Sequence, residues 1–342
     1  MERIYSMKNK IINNTILFVT ISLFITIFNE IFGNSNSLVG VAIVVEVLVL
    51  MGENLTHNPI KNFFKLLITN LILGVFATIA SSYIWIGIIL NFLVLTGIGY
   101  SCSYKLNKGL IVPFGLLYLF MLHTPVQGLD FIKRILALVF GAICIMGFQL
   151  IIHFPYFRKK NLEVKQSDLL YYLQEKSSYK KYKLFGKKIY INSIRIRYAV
   201  RIGCLVVLTA FITGFFNLHE GRWISYTVFS LTELYADNCK IRSKQRIEGT
   251  LIGAAIIVVL FMIIKDITLR SLIILVAGYL NPFANNYRDA IICVTVSAVA
   301  SVALTSNSIF AVSERIIYVG IGIIIALLAN RFLLRHNSIP ES

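Results

Sequence analysis

The stretch Arg222–Gly253, RWISYTVFSLTELYADNCKIRSKQRIEGTLIG, decides how this chain is read. Two hydrophobic runs flank a basic segment in which Lys240, Arg242, Lys244 and Arg246 fall within seven residues, and Glu248, Gly249 and Thr250 follow at once. Four cations set between two apolar runs raise the question of which solvent surrounds the chain.

Composition answers first. The chain has 342 residues, 57% of them hydrophobic and 14% charged, whereas soluble domains carry about 45–50% apolar and about 25% charged residues. The excess comes in blocks of about 15–25 residues, the length that crosses a ~30 Å hydrocarbon core as a helix. The alternating segments of about ten residues that mark a membrane barrel are missing. The expected fold is all-α and polytopic, with about twelve transmembrane helices. Their cores are 15–33, 38–52, 63–80, 83–101, 109–123 and 134–153, then 198–216, 223–236, 249–264, 269–284, 289–305 and 315–334. The basic, apolar N-terminus imitates a signal peptide, but no small-residue cleavage site follows it, so a retained first span is expected.

Lys and Arg in short loops set orientation. With both termini cytoplasmic, Lys133, Arg134, Arg222, Lys265, Arg270 and Arg315 face outward, and the remaining 27 of the 33 Lys and Arg face inward. The 240–246 segment is then a cytoplasmic hinge between spans eight and nine. The formal charge of +17 is a topology signal and does not point to nucleic acid. Residues 157–197 form a basic cytoplasmic linker beside anionic headgroups, with a short helix expected over SDLLYYLQEK. The linker separates a first membrane segment, 1–156, from a second, 198–342.

The two segments resemble each other. A shift of about 181 residues lays Arg134 and Gly141 on Arg315 and Gly322, and Lys65 and Thr69 on Arg246 and Thr250. Six spans in each half make two parallel six-helix repeats, an arrangement that places a substrate route at their interface. The five cysteines and five histidines show no metal-ligand spacing, and no phosphate loop or nucleophile motif is found. No metal, no cofactor and no enzymatic activity are expected.

GRWISYTVFSLTELYADNCKIRSKQRIEGTLIG resembles the fusaric-acid-resistance-like family, also called the aromatic acid exporter group. The resemblance rests on Trp223 at the start of a span, then Arg246, Gly249, Thr250 and Gly253. NNYRDAIICVTVSA and SERIIYVGIG add Tyr287, Arg288, Arg315 and Gly322. It covers about 198–334, whereas the first half lacks the Trp and the Gly-Thr pair. Many members carry a large cytoplasmic domain after each membrane block, where the expectation for this sequence is a linker of 157–197 after the first block and no such domain after the second. The resemblance implies a bacterial inner-membrane exporter of organic, aromatic carboxylic anions. The partners are then the bilayer and a small organic anion, and homo-oligomerisation stays open. The alternative is a non-transporting scaffold or envelope-assembly protein of the same fold.

Each singled-out residue carries two readings. Gly249, Thr250 and Gly253 have small-xxx-small spacing that lets helices approach closely; substrate contact is the other reading. Arg246 and Lys65 are topology cations or an anion-attracting inner mouth. Arg134 and Arg315 begin the sixth span of each half. They pair with Asp130 and Glu314, or they face each other and bind carboxylate, which suits the planar guanidinium fork. Arg288 joins these anion-route candidates through the family pattern. Glu46 and Glu233 lie in the second spans and either exchange protons or pair with basic loops. Trp223 is read as an interfacial anchor, and Asn70, Asn91 and Asn281 as interhelical hydrogen-bonding groups or lining of a route. The topology has a direct check. In a Ser178→Cys variant, an impermeant thiol reagent applied to intact cells should leave position 178 unmodified, and labelling there would reverse the orientation.

Overall fold

The computed structural model describes residues 2–103, 109–153, 179–184, 187–234, 236–304 and 308–333. Among them are twelve α-helices: α1 (Glu2–Phe32), α2 (Ser37–Leu50), α3 (Pro59–Ser82), α4 (Ile84–Ser101), α5 (Ile111–His123), α6 (Leu129–His153), α7 (Ser193–Phe215), α8 (Arg222–Leu231), α9 (Ala236–Ile263), α10 (Ile267–Leu280), α11 (Tyr287–Ala303) and α12 (Ser308–Leu333). Short 3-10 turns, Asn34–Asn36 and Asn281–Phe283, precede α2 and follow α10. Apolar side chains line the outside of these helices. On α1 alone, Ile12, Ile16, Val19, Leu23, Ile27 and Ile31 are all exposed, a stripe that water would not tolerate and lipid does.

Among the described residues, seven helices are long and apolar enough to cross a bilayer: Lys8–Phe32, Pro59–Ser82, Ile84–Ser101, Leu129–His153, Ser193–Phe215, Asn238–Ile263 and Ile309–Arg331. The chain is a multi-pass, α-helical membrane protein. The expectation of twelve full spans is corrected. Asn34–Leu50, Ile111–His123 and Ile267–Phe283 are apolar but shorter, and α8 has 10 residues. At 1.5 Å per residue a ten-residue helix rises about 15 Å, half of a ~30 Å core. The eighth span, expected over 223–236, is a short helix followed by an extended Thr232. The basic hinge is also corrected. Lys240–Arg246 form the early turns of α9, whose 28 residues extend about 42 Å, beyond the ~30 Å core, so cations fit at its end.

The described residues fall into two compact units, one of residues 25–215 and one of 1–24 with 216–342. In the first unit α3 packs on α4, α5 and α6, and α2 packs on α5 and α6. α7 joins this unit by lying along α4. Gly99 meets the Ala199 backbone, and Gly203 meets Thr96 and the Phe92 carbonyl. In the second unit α9 packs on α11 and α12, α10 on α11, and α8 on α12. The start of α1 belongs here: Phe18 meets Tyr279 of α10 edge-on at 5.5 Å, and Thr15 Oγ1 lies 3.1 Å from the Tyr279 hydroxyl. The end of α1, from Ile25 to Phe32, belongs to the first unit, where Phe28 packs on Gly40. Asp266 caps α10 by accepting from the amides of Thr268 (2.8 Å) and Leu269 (3.0 Å), and these bonds hold its carboxyl below the usual range.

One element departs from the all-α expectation. Strands β1 (Tyr179–Leu184) and β2 (Lys187–Asn192) form an antiparallel pair with Tyr179 opposite Asn192 and Leu184 opposite Lys187. The two-residue gap and the alternation in KKIYIN carry that hairpin signal. The helix expected over SDLLYYLQEK lies outside the described residues.

Helix approach in the second unit depends on missing side chains. A Cβ on Gly249 would lie 2.7 Å from the Arg288 carbonyl oxygen and 2.9 Å from Ile291 Cβ, and one on Gly253 would lie 2.9 Å from Thr295 Cβ. Both are glycines of α9 pressed on α11, as the small-residue spacing implied. On α12, by contrast, nothing lies within 4 Å of a Cβ at Gly320. Gly249→Leu should lower the melting temperature of the detergent-solubilised protein, an overpacking cost of about 1–3 kcal/mol. Gly320→Ala should leave it unchanged. Equal stability of the two variants would refute the packing role.

Candidate anion site

The polar chemistry of the second unit gathers around α8. Residues 224–229 and 231 are buried, so this ten-residue helix is enclosed on most sides, by α9 and α12 among others. A tight turn leads into it, with Asn217 and Glu220 both at φ 47, a left-handed conformation that few non-glycine residues adopt. This turn directs Glu220 onto Arg222, whose Nε and Nη2 donate to its two carboxylate oxygens at 2.8 and 2.7 Å. It also places His219 Nδ1 3.0 Å from Glu314 Oε2.

At the start of α8, Trp223 faces Arg315 of α12. The Arg315 guanidinium carbon lies 3.9 Å from the ring centroid, and Arg315 is 1% exposed. Its Nε and Nη1 have no hydrogen-bond partner. The indole face supplies cation–π attraction and no acceptor. Trp223, expected to be an interfacial anchor, is the platform under a buried cation. The expected pairing of Arg315 with Glu314 is not formed, because Glu314 turns to His219.

The end of α8 carries a second cation. Arg246 of α9, 6% exposed, donates through Nη1 to the Tyr287 hydroxyl at 2.7 Å and to Ser230 Oγ at 3.2 Å. Tyr287 and Ser230 are themselves 2.9 Å apart. Arg242, one turn earlier on α9, lies over the Tyr287 ring at 4.3 Å and donates to Glu233 Oε1 at 2.8 Å. Gly249 makes this possible: its bare Cα lets the first turn of α11, with Tyr287, come down onto α9.

Charge accounting follows from these pairs. Arg222 is matched by Glu220 and Arg242 by Glu233. Among the described residues, Arg246 and Arg315 have no carboxylate within salt-bridge distance, and both Arg246 and Glu220 lie within electrostatic reach of Arg315. Trp223 and Ser230 are seven residues apart, so the two cations mark the ends of a track about 10 Å long. The buried hydroxyls of Thr227, Thr250 and Thr295, and Nε of both Arg246 and Arg315, also have no partner. Buried donors without acceptors cost free energy, and a site with such a surplus suits an anion carrying several acceptor oxygens.

The other expected residues lie elsewhere. Arg288 is exposed and pairs with Asp289 at 3.2 Å. Lys65 is exposed on α3 of the first unit. Arg134, fully buried on α6 of that unit, donates through Nε to Asn36 Oδ1 at 2.8 Å and through Nη2 to the Ser35 carbonyl at 3.3 Å. Its expected partner Asp130 instead accepts from Ser35 Oγ at 2.9 Å. Glu233 sits on Arg242, as the basic-loop reading has it. Glu46 is fully buried on α2 and accepts from Asn70 Nδ2 at 3.3 Å. Sequence reasoning missed Ser230, His219 and the site role of Tyr287. The four-residue spacing of Arg242 and Arg246, which stacks them on one helix face, was the available signal.

Helices with lipid-facing apolar sides and a cation-rich buried track define a polytopic membrane protein with a buried cationic site. Residues 205–329, a stretch that holds the whole track, match the model of the family described as fusaric acid resistance protein-like. No curated protein matches the chain, and no solved structure matches it. Tyr287→Phe tests the site's internal bonds. It removes the acceptor of the 2.7 Å Arg246 bond and should cost about 1.5–3 kcal/mol, the range for bonds to charged groups, read as a lower unfolding midpoint. Tyr226→Phe, which keeps the ring that meets Trp223 edge-on at 5.7 Å and touches neither Arg246 bond, should cost less.

Proposed function

We propose that the protein transports organic anions across the membrane and that the Arg315–Arg246 track binds the anion on its way. The carrying observation is the pair of buried guanidiniums without a carboxylate. A structural ion network pairs each cation with a carboxylate, whereas two guanidiniums here have none within salt-bridge distance, and an incoming anion would supply it. The family's description as resistance-like supports export, and carboxylates fit the guanidinium fork. Aromatic carboxylic acids are the proposed substrates, with an inner-membrane location and cytoplasmic termini.

Two six-helix repeats belong to the same proposal. Within the first unit, Gly141 of α6 packs on Ile43 of the short helix α2. Within the second, Gly322 of α12 packs on Thr227 and the Ile224 carbonyl of the short helix α8. Each glycine lies seven residues beyond its arginine, Arg134 or Arg315. This recurrence supports a duplicated plan in which Arg134 holds the first unit's counterpart position.

Proteoliposomes loaded with radiolabelled benzoate provide the test. A charge-assisted bond contributes about 1.5–3 kcal/mol, so Arg315→Gln should cut flux about tenfold or more at unchanged expression. Arg315→Lys should restore part of it, since it keeps the charge but loses the fork. Wild-type flux in Arg246→Gln/Arg315→Gln would exclude the track as the route and favour the scaffold alternative.

A further inference from the structure

The first unit holds a buried acid that the anion track does not use. Glu46 of α2 and Asn70 of α3 are both 0% exposed. One hydrogen bond joins them, from Asn70 Nδ2 to Glu46 Oε2 at 3.3 Å. The other oxygen of each side chain, Glu46 Oε1 and Asn70 Oδ1, is buried without a partner. Both leftover atoms are acceptors when Glu46 is ionised. A proton on Glu46 changes that, because a carboxylic acid is a donor. Acid and amide can then exchange two hydrogen bonds in a ring, and the two orphaned atoms are the two that the second bond would join.

Among the described residues, nothing around Glu46 would hold it as a carboxylate. Among the described residues it has no ion pair. On α6, Arg134 is engaged with Asn36 and Ser35. On α5, the Tyr118 hydroxyl donates to Asn91. On α3, Lys65 is exposed. The titratable group in electrostatic reach is the Cys102 thiol at the end of α4, which Lys65 and Arg195 also reach. An isolated carboxylate in such a place is strongly disfavoured, and an ionisable group inside a membrane helix marks function by default.

We infer that Glu46 and Asn70 form a proton-binding site: Glu46 rests as the neutral acid, donates to Asn70 Oδ1, and gives up and regains its proton as the protein moves anions. The last clause rests on the transport reading above. The step is a plain exchange with water, in which the acid and a water molecule give the carboxylate and hydronium, and no other bond is made or broken. Glu233 is not part of this site, since Arg242 neutralises it.

Infrared difference spectroscopy on the whole purified protein at neutral pH reads the proton directly. Wild type minus Glu46→Gln should show the carbonyl stretch of one protonated carboxyl. In Asn70→Ala that band should move to higher frequency, because the amide no longer bonds the acid. Carboxylate bands in place of the protonated one, or a band that Asn70→Ala leaves unmoved, would overturn the site. Gln at position 46 can still exchange two hydrogen bonds with Asn70, so the variant is expected to fold. If it does not, the Asn70→Ala shift against wild type decides alone. In proteoliposomes, the ratio of benzoate uptake driven by a pH gradient to benzoate–benzoate exchange should fall at least tenfold in Glu46→Gln. An unchanged ratio would overturn the coupling. Absence of all benzoate movement by wild type would count against the transport reading, with the proton site still decided by the infrared band.

Discussion

Helix α8 is ten residues long, and the residues at its two ends, Gly221 and Leu231–Thr232, are buried. A helix leaves unsatisfied backbone groups at each end, and burial removes water as their partner. The chain must therefore bring polar groups to such ends. Thr232 returns its hydroxyl to the Val228 carbonyl at 2.7 Å. At the end of α2 in the first unit, Gln149 donates to the Leu50 carbonyl. At its start, Arg134 and Asn36 hold the preceding turn. Short buried helices explain why polar and charged side chains enter the interior of so apolar a chain.

Close packing then decides where those side chains meet. Gly249 and Gly253 let α11 settle on α9, and Gly322 lets α8 settle on α12. These contacts draw Tyr287, Ser230 and Arg246 together at one end of α8 and Trp223 and Arg315 at the other. Lipid gives helices no hydrophobic reason to associate, so small residues that permit backbone approach carry much of the packing. The same glycines serve stability and the assembly of the track.

The charges obey a separate logic. Two of the four arginines around α8 find carboxylates close at hand, and two find an aromatic ring or hydroxyls. Trp223 stabilises the Arg315 cation without neutralising it. Tyr287 and Ser230 orient Arg246 and leave its Nε free. The arrangement holds positive charge in place in advance, which is the preorganisation that the proposed anion binding would draw on.

The sequence by itself determined the solvent of this protein, its helical class, its family resemblance through Trp223, Arg246, Gly249 and Arg315, and the close approach at Gly249 and Gly253. Those follow from composition and short-range spacing, which local chemistry controls. Helix length was misjudged where an apolar run continued past a polar break, as at Thr232-Glu233, because hydropathy cannot see the backbone turn away. Partner choice was misjudged for Arg134, Arg315 and Trp223. Nearness in sequence offered Asp130 and Glu314 as counter-charges. The tertiary structure gave those acids to Ser35 and His219, and set Arg315 on a ring 92 residues away in the chain. Which buried charge meets which partner depends on how helices distant in sequence pack, and only the folded chain brings those faces together.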